Sequence, residues 1–116
     1  MTAYQRGLYR EQQCMMRLEA EGYLVMRAPG SHGQPDVVAV KPGQVLAVQV
    51  KAGNARLDHG WFNQLYSTAL RAGAVPIVAD FPKRGQMRLR RITSLHRANS
   101  HHWPLEPFST DQVVSA

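Results

Sequence analysis

The chain has 116 residues, a formal net charge of +6 and a single cysteine, Cys14. This length suffices for one hydrophobic core but not for two, so we expect residues 1–116 to form a single domain. One cysteine excludes an intramolecular disulfide and a cysteine-based zinc site. The sequence has no apolar run of membrane-spanning length and no signal-peptide pattern, which predicts a soluble cytoplasmic protein. The excess of basic residues fits a nucleic-acid partner.

A first helix is predicted from about Ala3 to Glu21, because Gly22 is a natural residue to follow a helix end. Its apolar residues recur at helical spacing on one face: they are Tyr4, Leu8, Met15 and Leu18. Glu11 lies in the middle of that face, where a carboxylate is unfavourable unless it is paired or bound to a cation. Glu11 is therefore a candidate site residue, unless the apolar face is simply broad and Glu11 reaches solvent at its edge.

Three short strands follow the helix, the last two as a hairpin. The first is Tyr23–Arg27, and the patterns Asp36–Val40 and Gln44–Lys51 come after a loop rich in glycine and proline. Pro42-Gly43 separates the last two patterns. Proline followed by glycine at the centre of a turn favours a tight β-hairpin.

The register of this hairpin decides whether its polar residues meet. With a two-residue loop, Lys41 pairs with Gln44 and Asp36 falls opposite Gln49, which shares a face with Lys51. A three-residue loop would shift the pairing by one and put Asp36 and Gln49 on opposite faces. We favour the two-residue loop because it gathers an acid, an amide and an amine at one point. Acid and amide oxygens can hold a hard cation, and an ammonium beside them suits a phosphate.

The second half of the chain predicts another helix and two more strands. Apolar residues recur at helical spacing from Gly60 to Ala72, and Asp58 is a plausible N-cap. The remaining elements, in order, are a buried strand Val75–Phe81, a basic turn Lys83-Arg84-Gly85, an edge strand Met87–Ile92 and an irregular tail from about Ser94, with Trp103 as one packing aromatic. Helix, three strands, helix and strand predict an α/β domain with a mixed sheet.

These residues also carry a family resemblance. Pro35-Asp36 followed by Gln49-Val50-Lys51 resembles the signature of the PD-(D/E)xK nuclease superfamily, with glutamine where an acid is usual. The chain resembles the archaeal-type Holliday junction resolvases in particular. One matching segment is Arg27-Ala28-Pro29-Gly30-Ser31, and the other is Arg6-Gly7 followed by Glu11 and then by Gly22-Tyr23. The similarity covers roughly the first half of the chain. It implies a restriction-endonuclease-like αβββαβ core with a mixed central sheet.

The resemblance implies metal-dependent cleavage of a phosphodiester by water. Asp36 would be the principal ligand, with the Gln49 amide oxygen and the Val50 carbonyl as neutral donors. Glu11 would complete the set, and Lys51 would position the attacking water or offset charge in the transition state. Such a sparse set of oxygens suits Mg²⁺ better than Ca²⁺, and we expect Mn²⁺ to substitute.

The implied substrate is branched DNA, preferably a four-way (Holliday) junction, which two symmetric nicks resolve. One site cannot place two nicks at once, so we expect a homodimer, with a patch built partly from Trp61, Phe62 and Tyr66. The DNA-binding candidates are Arg6, Arg10, Arg27, Ser31, His32, Lys83 and Arg84, with Arg88 and Arg90 further along the junction arms. Two alternatives stay open: another nuclease of the superfamily (flap, repair or restriction type), and a non-catalytic basic DNA-binding module that lost a ligand at Gln49.

Overall fold

In the computed structural model, residues 1–28, 35–53, 56–84 and 86–111 are described. They form two helices and six strands: α1 (Ala3–Ala20), β1 (Leu24–Arg27), β2 (Val37–Lys41), β3 (Gln44–Ala52), α2 (His59–Ala72), β4 (Val75–Phe81), β5 (Arg88–Ile92) and β6 (Leu105–Pro107). The strands make one sheet whose spatial order is the chain order. Neighbouring strands are antiparallel except β3 and β4, which are parallel. The predicted mixed sheet is confirmed.

Helix α1 begins and ends almost where the sequence predicts. Thr2 caps it through a reciprocal pair of hydrogen bonds with Gln5, and Gly22 follows its end with φ +96°. Its buried face is the predicted one in part, because Leu18 is buried and Met15 packs against the same core. Cys14 and Leu18 are fully buried, whereas Tyr4 is 72% exposed. Residues 1–6 are all exposed, so the first turn of α1 faces solvent.

The two helices cover opposite faces of the sheet. Residues Cys14 and Leu18 of α1 pack in one core with Val37, Ala39, Leu46, Val48 and Ile77. Helix α2 packs Phe62, Leu65 and Ala69 on the other face, against Ala47, Val78 and Ile92. Phe62 is fully buried, so its expected place in a dimer surface is wrong: it is a core residue. Burial raises the pKa of the Cys14 thiol to about 12, which keeps it neutral.

The two-residue hairpin register is confirmed. Lys41 pairs with Gln44, and the ladder runs from there to the pair Val37 and Val48. Gly43 adopts φ +80°, the conformation that the second turn residue needs. The catalytic candidates of β2 and β3 therefore belong to one local hairpin.

The C-terminal region is more ordered than its sequence suggests. Strand β5 is not an edge, because β6 pairs along its outer side, and Phe108 just beyond β6 is buried. His96 is buried and stacks on Trp103 with ring centroids 3.6 Å apart. The expected irregular tail is therefore part of the packed domain. Within the described parts of the chain, neither helix is long and apolar enough to cross a membrane.

Candidate active site

Asp36 immediately precedes β2 and bonds to β3 on both sides of Gln49. Its backbone N–H donates to the Val48 carbonyl at 2.9 Å, and its Oδ2 accepts from the Val50 N–H at 2.9 Å. Val48 is also the partner of Val37, so Asp36 and Val37 both lie against one residue of β3, as in a β-bulge. Bulges re-aim a side chain at a strand end. Here the bulge accompanies a carboxylate that reaches along β3 to the Val50 amide.

The Val50 carbonyl is directed to the same side of β3 as Asp36. In a strand, the N–H and C=O of one residue point to the same neighbour, and the Val50 N–H points to Asp36. Its carbonyl therefore points toward β2, at the place where the β2–β3 ladder has ended. An acid oxygen and a backbone carbonyl are thereby presented on one side of the strand.

Gln49 and Lys51 lie on the face of β3 that α2 covers. They are two residues apart on β3 and alternate with Val50, which packs against the core of the opposite face. The Lys51 Nζ lies 4.9 Å from the centroid of the Trp61 ring of α2. Both Gln49 and Lys51 are half-buried. That the side chains of Asp36 and Gln49 converge on one ion stays a prediction.

Glu11, in the middle of α1, is paired with Arg27. Its Oε1 accepts from Arg27 Nε at 3.0 Å, with the side chains 21% and 45% exposed. This hydrogen bond, reinforced by the opposite charge, raises the pKa of Arg27. The sequence required a partner or a cation for Glu11, and the described partner is Arg27, which motif reasoning had assigned to DNA.

The charges around Asp36 show which groups share its surroundings. Burial raises the pKa of Asp36, and the Glu11 carboxylate adds to that rise. The Val50 N–H, Lys51 and Arg27 act in the opposite direction. Glu11, Lys51 and Arg27 therefore all lie within electrostatic reach of Asp36, and the balance there disfavours a lone negative charge.

This donor set fits a hard divalent cation. Burial disfavours the charged form of Asp36 and so raises its pKa, and a bound cation would stabilise that charged form. The available oxygens are carboxylates, an amide and a backbone carbonyl, the ligand types that Mg²⁺ accepts. Within the described residues, no group of three or more His, Cys, Asp or Glu is gathered as for a metal. That is the expected consequence of an amide standing at Gln49, which leaves Asp36 and Glu11 as the acids.

Two of the basic candidates meet beside the site. Arg10 and Lys83 line a groove of about 430 Å³ at the ends of β3 and β4, together with Ala52, Gly53, Phe81 and Pro82. Gly53 donates to the Phe81 carbonyl at 2.9 Å. A Cβ at position 53 would lie 2.2 Å from that oxygen, so only glycine fits the floor of this groove.

The other DNA-binding candidates are not gathered there. Arg6 is exposed and donates to the Met1 carbonyl at 3.1 Å, and Arg84 is exposed after β4. Arg17, near the end of α1, donates to the Met87 carbonyl and so ties α1 to the start of β5. Ser31 and His32 lie outside the described residues.

Sequence reasoning missed a buried acid next to Lys51. Asp80 pairs with Lys51 in the parallel β3–β4 register and is 4% exposed. It accepts two hydrogen bonds from Arg88, at 2.9 and 2.8 Å, and one from Arg90 at 2.8 Å. Arg88 and Arg90 are therefore bound to Asp80, and that they also contact DNA stays a prediction. The available signal was their alternation on β5, which puts both on the face of Asp80.

Comparisons with known proteins found a matching family model and a similar solved structure. The family model described as archaeal Holliday junction resolvase (hjc) matches residues 2–107, well beyond the first half in which the resemblance was recognised. A solved structure of Archaeoglobus fulgidus Hjc, a Holliday junction resolvase from an archaeal hyperthermophile, is similar with a TM-score of 0.65 and 27% identity. That similarity covers 72% of this chain and 74% of the other. The comparison with curated proteins gives no match.

Proposed function

The chain belongs to the archaeal Holliday junction resolvase family, and from that premise we propose that Asp36, Gln49 and Lys51 form its catalytic centre. The protein is a structure-selective nuclease that resolves four-way DNA junctions. The observation that carries the site is the hydrogen bond from Val50 N–H to Asp36 Oδ2. This bond places the acid of β2 beside the strand segment that carries the amide, the carbonyl and the lysine.

Each residue has a distinct chemical task. Asp36 and the Val50 carbonyl would hold the metal, with Gln49 and Glu11 as further oxygen donors. When bound, Mg²⁺, for which Mn²⁺ can substitute, would lower the pKa of the attacking water and neutralise charge building on the phosphoryl oxygens. The Lys51 ammonium orients the water and offsets charge in the transition state.

DNA phosphates would be held at the groove between Arg10 and Lys83. It begins one residue after Lys51, at the C-terminal ends of the two parallel strands. Ligands commonly bind at that end of parallel strands. Arg27, whose side chain is 45% exposed, would contribute a further phosphate contact on the side of Glu11.

We propose that two copies form a symmetric dimer through an apolar patch of Leu24, Met26, Val38 and Val40. Leu24 pairs with Val40 and Met26 with Val38, so the four side chains share one face of β1 and β2. Leu24 is 68% and Met26 49% exposed, which is unusual for adjacent large apolar residues. Burying this patch against a second copy would give the two sites that paired nicks require.

One assay separates the candidate functions. Cleavage of four-way junctions, flaps and linear duplex is measured with and without Mg²⁺. We expect junctions to be cut first and only with metal. Equal cutting of all three DNAs would point to another nuclease of the superfamily. Binding without cutting would point to the non-catalytic module, since Gln49 leaves the site one carboxylate short.

A further inference from the structure

We infer that Trp61 is a positioning residue for Lys51, and that its ring keeps the Lys51 ammonium from pairing directly with Asp36. This inference rests on the proposed function, because it assigns a task to the lysine of that site. Its structural basis is the contact between Lys51 Nζ and the Trp61 ring, 4.9 Å from the centroid. This distance lies within the range in which an indole face attracts a cation.

The Trp61 ring is positioned by the cap of α2 and by packing against Phe62. Trp61 lies in the first turn of α2. Asp58 Oδ1 accepts hydrogen bonds from the backbone N–H of Trp61 at 3.2 Å and from that of Gly60 at 2.9 Å. Trp61 is half-buried, and the centroid of its ring lies 6.0 Å from that of the fully buried Phe62 ring. Lys51 supplies a flexible stem from β3. A fixed ring can therefore restrict where the ammonium spends its time.

The need for such restriction follows from the charges. Asp36 is half-buried, and a partly buried carboxylate attracts an ammonium more strongly than one in bulk water does. Lys51 does lower the pKa of Asp36, but this effect is smaller than those of burial, the Val50 N–H and Glu11. Among the ion pairs of the described residues, none joins Lys51 to Asp36. A lysine that paired with Asp36 would occupy the acid that the metal needs.

The chain supplies its own controls. It has three lysines, Lys41, Lys51 and Lys83. Lys41 is at the end of β2 away from the site. Its Nζ lies 4.5 Å from the centroid of the Tyr23 ring and donates to the Thr110 carbonyl at 2.8 Å. Lys83 is exposed in the turn after β4. One lysine therefore reports the contact with Trp61, one reports a contact with another ring, and one serves as a solvent reference.

The first test separates positioning from folding. Trp61→Phe should keep turnover within about 3-fold, because a ring remains. Trp61→Leu should lower the rate at saturating DNA by about 3- to 30-fold, the range that a partly desolvated cation–ring contact gives. Junction affinity should stay within about 2-fold. In a Lys51→Met background, Trp61→Leu should cause no further loss. An equal loss in both backgrounds would overturn the inference, since it would show that Trp61 acts through the fold.

The second test needs no cleavage. Protons on the Lys51 ε-carbon, above an indole face, should resonate upfield of those of Lys83 in NMR spectra. Trp61→Leu should remove that shift and leave the Lys41 signal in place, while Tyr23→Leu should do the reverse. A Lys51 signal that ignores Trp61 would refute the contact. If the wild-type protein cuts no DNA, the proposed function fails, and this measurement still decides the contact.

Discussion

Arg27 Nε donates to Glu11 Oε1 at 3.0 Å, which joins the end of β1 to the middle of α1. The only acid on the apolar side of α1 is thereby neutralised by a residue that lies 16 positions away in sequence and is itself partly exposed. Arriving phosphates would compete with Glu11 for this guanidinium. Release of Glu11 would then add a carboxylate to the proposed metal site at the moment when DNA binds.

Removing the guanidinium should therefore make Glu11 available earlier. In Arg27→Gln we expect weaker junction binding together with a lower Mg²⁺ concentration for half-maximal cleavage. Arg6→Gln is the matched control, because it removes the same charge at an exposed position whose described hydrogen bond goes to the Met1 carbonyl. Identical Mg²⁺ titrations for the two variants would show that Arg27 does not restrain Glu11.

Asp36→Asn should abolish cleavage while leaving DNA binding unchanged or tighter. Loss of a direct ligand should exceed the 10- to 100-fold effect, roughly, that loss of a supporting residue around a metal produces. Binding should not weaken, because one negative charge facing phosphate disappears. Single-turnover cleavage and junction titrations measure the two effects. Near wild-type cleavage would show that the metal assignment is wrong.

The same substitution should stabilise the fold at neutral pH. The pKa of Asp36 is raised by burial above its ordinary value of 3.8, so the folded state binds the proton more tightly than the unfolded state does. Stability therefore falls as pH rises from that value through the folded pKa, and the loss persists above it. Asparagine removes this charge and can still accept from Val50. Thermal unfolding at neutral pH should give a higher Tm for Asp36→Asn, and the difference should shrink toward acid.

Gln49→Glu should preserve cleavage and lower the Mg²⁺ requirement, because a charged oxygen replaces a neutral one beside Asp36. Gln49→Leu should reduce cleavage by more than about 10-fold, since it removes the donor with little change of size. Metal titrations of cleavage compare the two. Wild-type behaviour of the leucine variant would make Gln49 a bystander.

Arg10→Gln and Lys83→Gln should each weaken junction binding and reduce its salt dependence by about one logarithmic unit of slope. Both residues line the same groove, so their effects should be similar in size. Arg71→Gln removes an equal charge from the exposed last turn of α2 and should leave the slope unchanged. A slope that shifts equally in all three variants would indicate a general effect of net charge.

The double variant Leu24→Glu, Met26→Glu should be monomeric, because it places two charges in the centre of the proposed symmetric interface. We expect junction cleavage to give single nicks in place of paired ones. Mass in solution, measured by light scattering, checks the assembly. Leu95→Glu is the control, since Leu95 is 56% exposed in the loop before β6. A wild-type mass for the double variant would locate the interface elsewhere.

Local features of the sequence proved sufficient for the hairpin. Pro42-Gly43 determines its register, and the register carries Asp36 to the segment around Gln49. Helical spacing also identified the apolar face of α2, but spacing cannot tell which layer covers a face. Phe62 was therefore assigned to a surface when it is core.

Pairs that depend on tertiary contacts were beyond the sequence. The partners of Asp80 come from the next strand, and the motif at Arg27 indicates phosphate without indicating Glu11. The C-terminal region was taken as irregular because proline and mixed polarity hide the stacking of His96 on Trp103. In each case the missing information is which distant residue satisfies a polar or aromatic group.

The strand order of the sheet, which repeats the order of the chain, has a consequence for how the protein acquires its activity. Asp36 and Lys51 belong to strands joined by a two-residue turn, so their approach closes only a short loop of chain. A β-hairpin forms in about 1–10 μs, and contacts of low sequence separation favour rapid folding. The parallel pairing of β3 with β4 needs the whole α2 crossover and should come later. We therefore expect the hairpin that carries the proposed catalytic residues to form before the β3–β4 pairing, with the rest of the domain assembling around it.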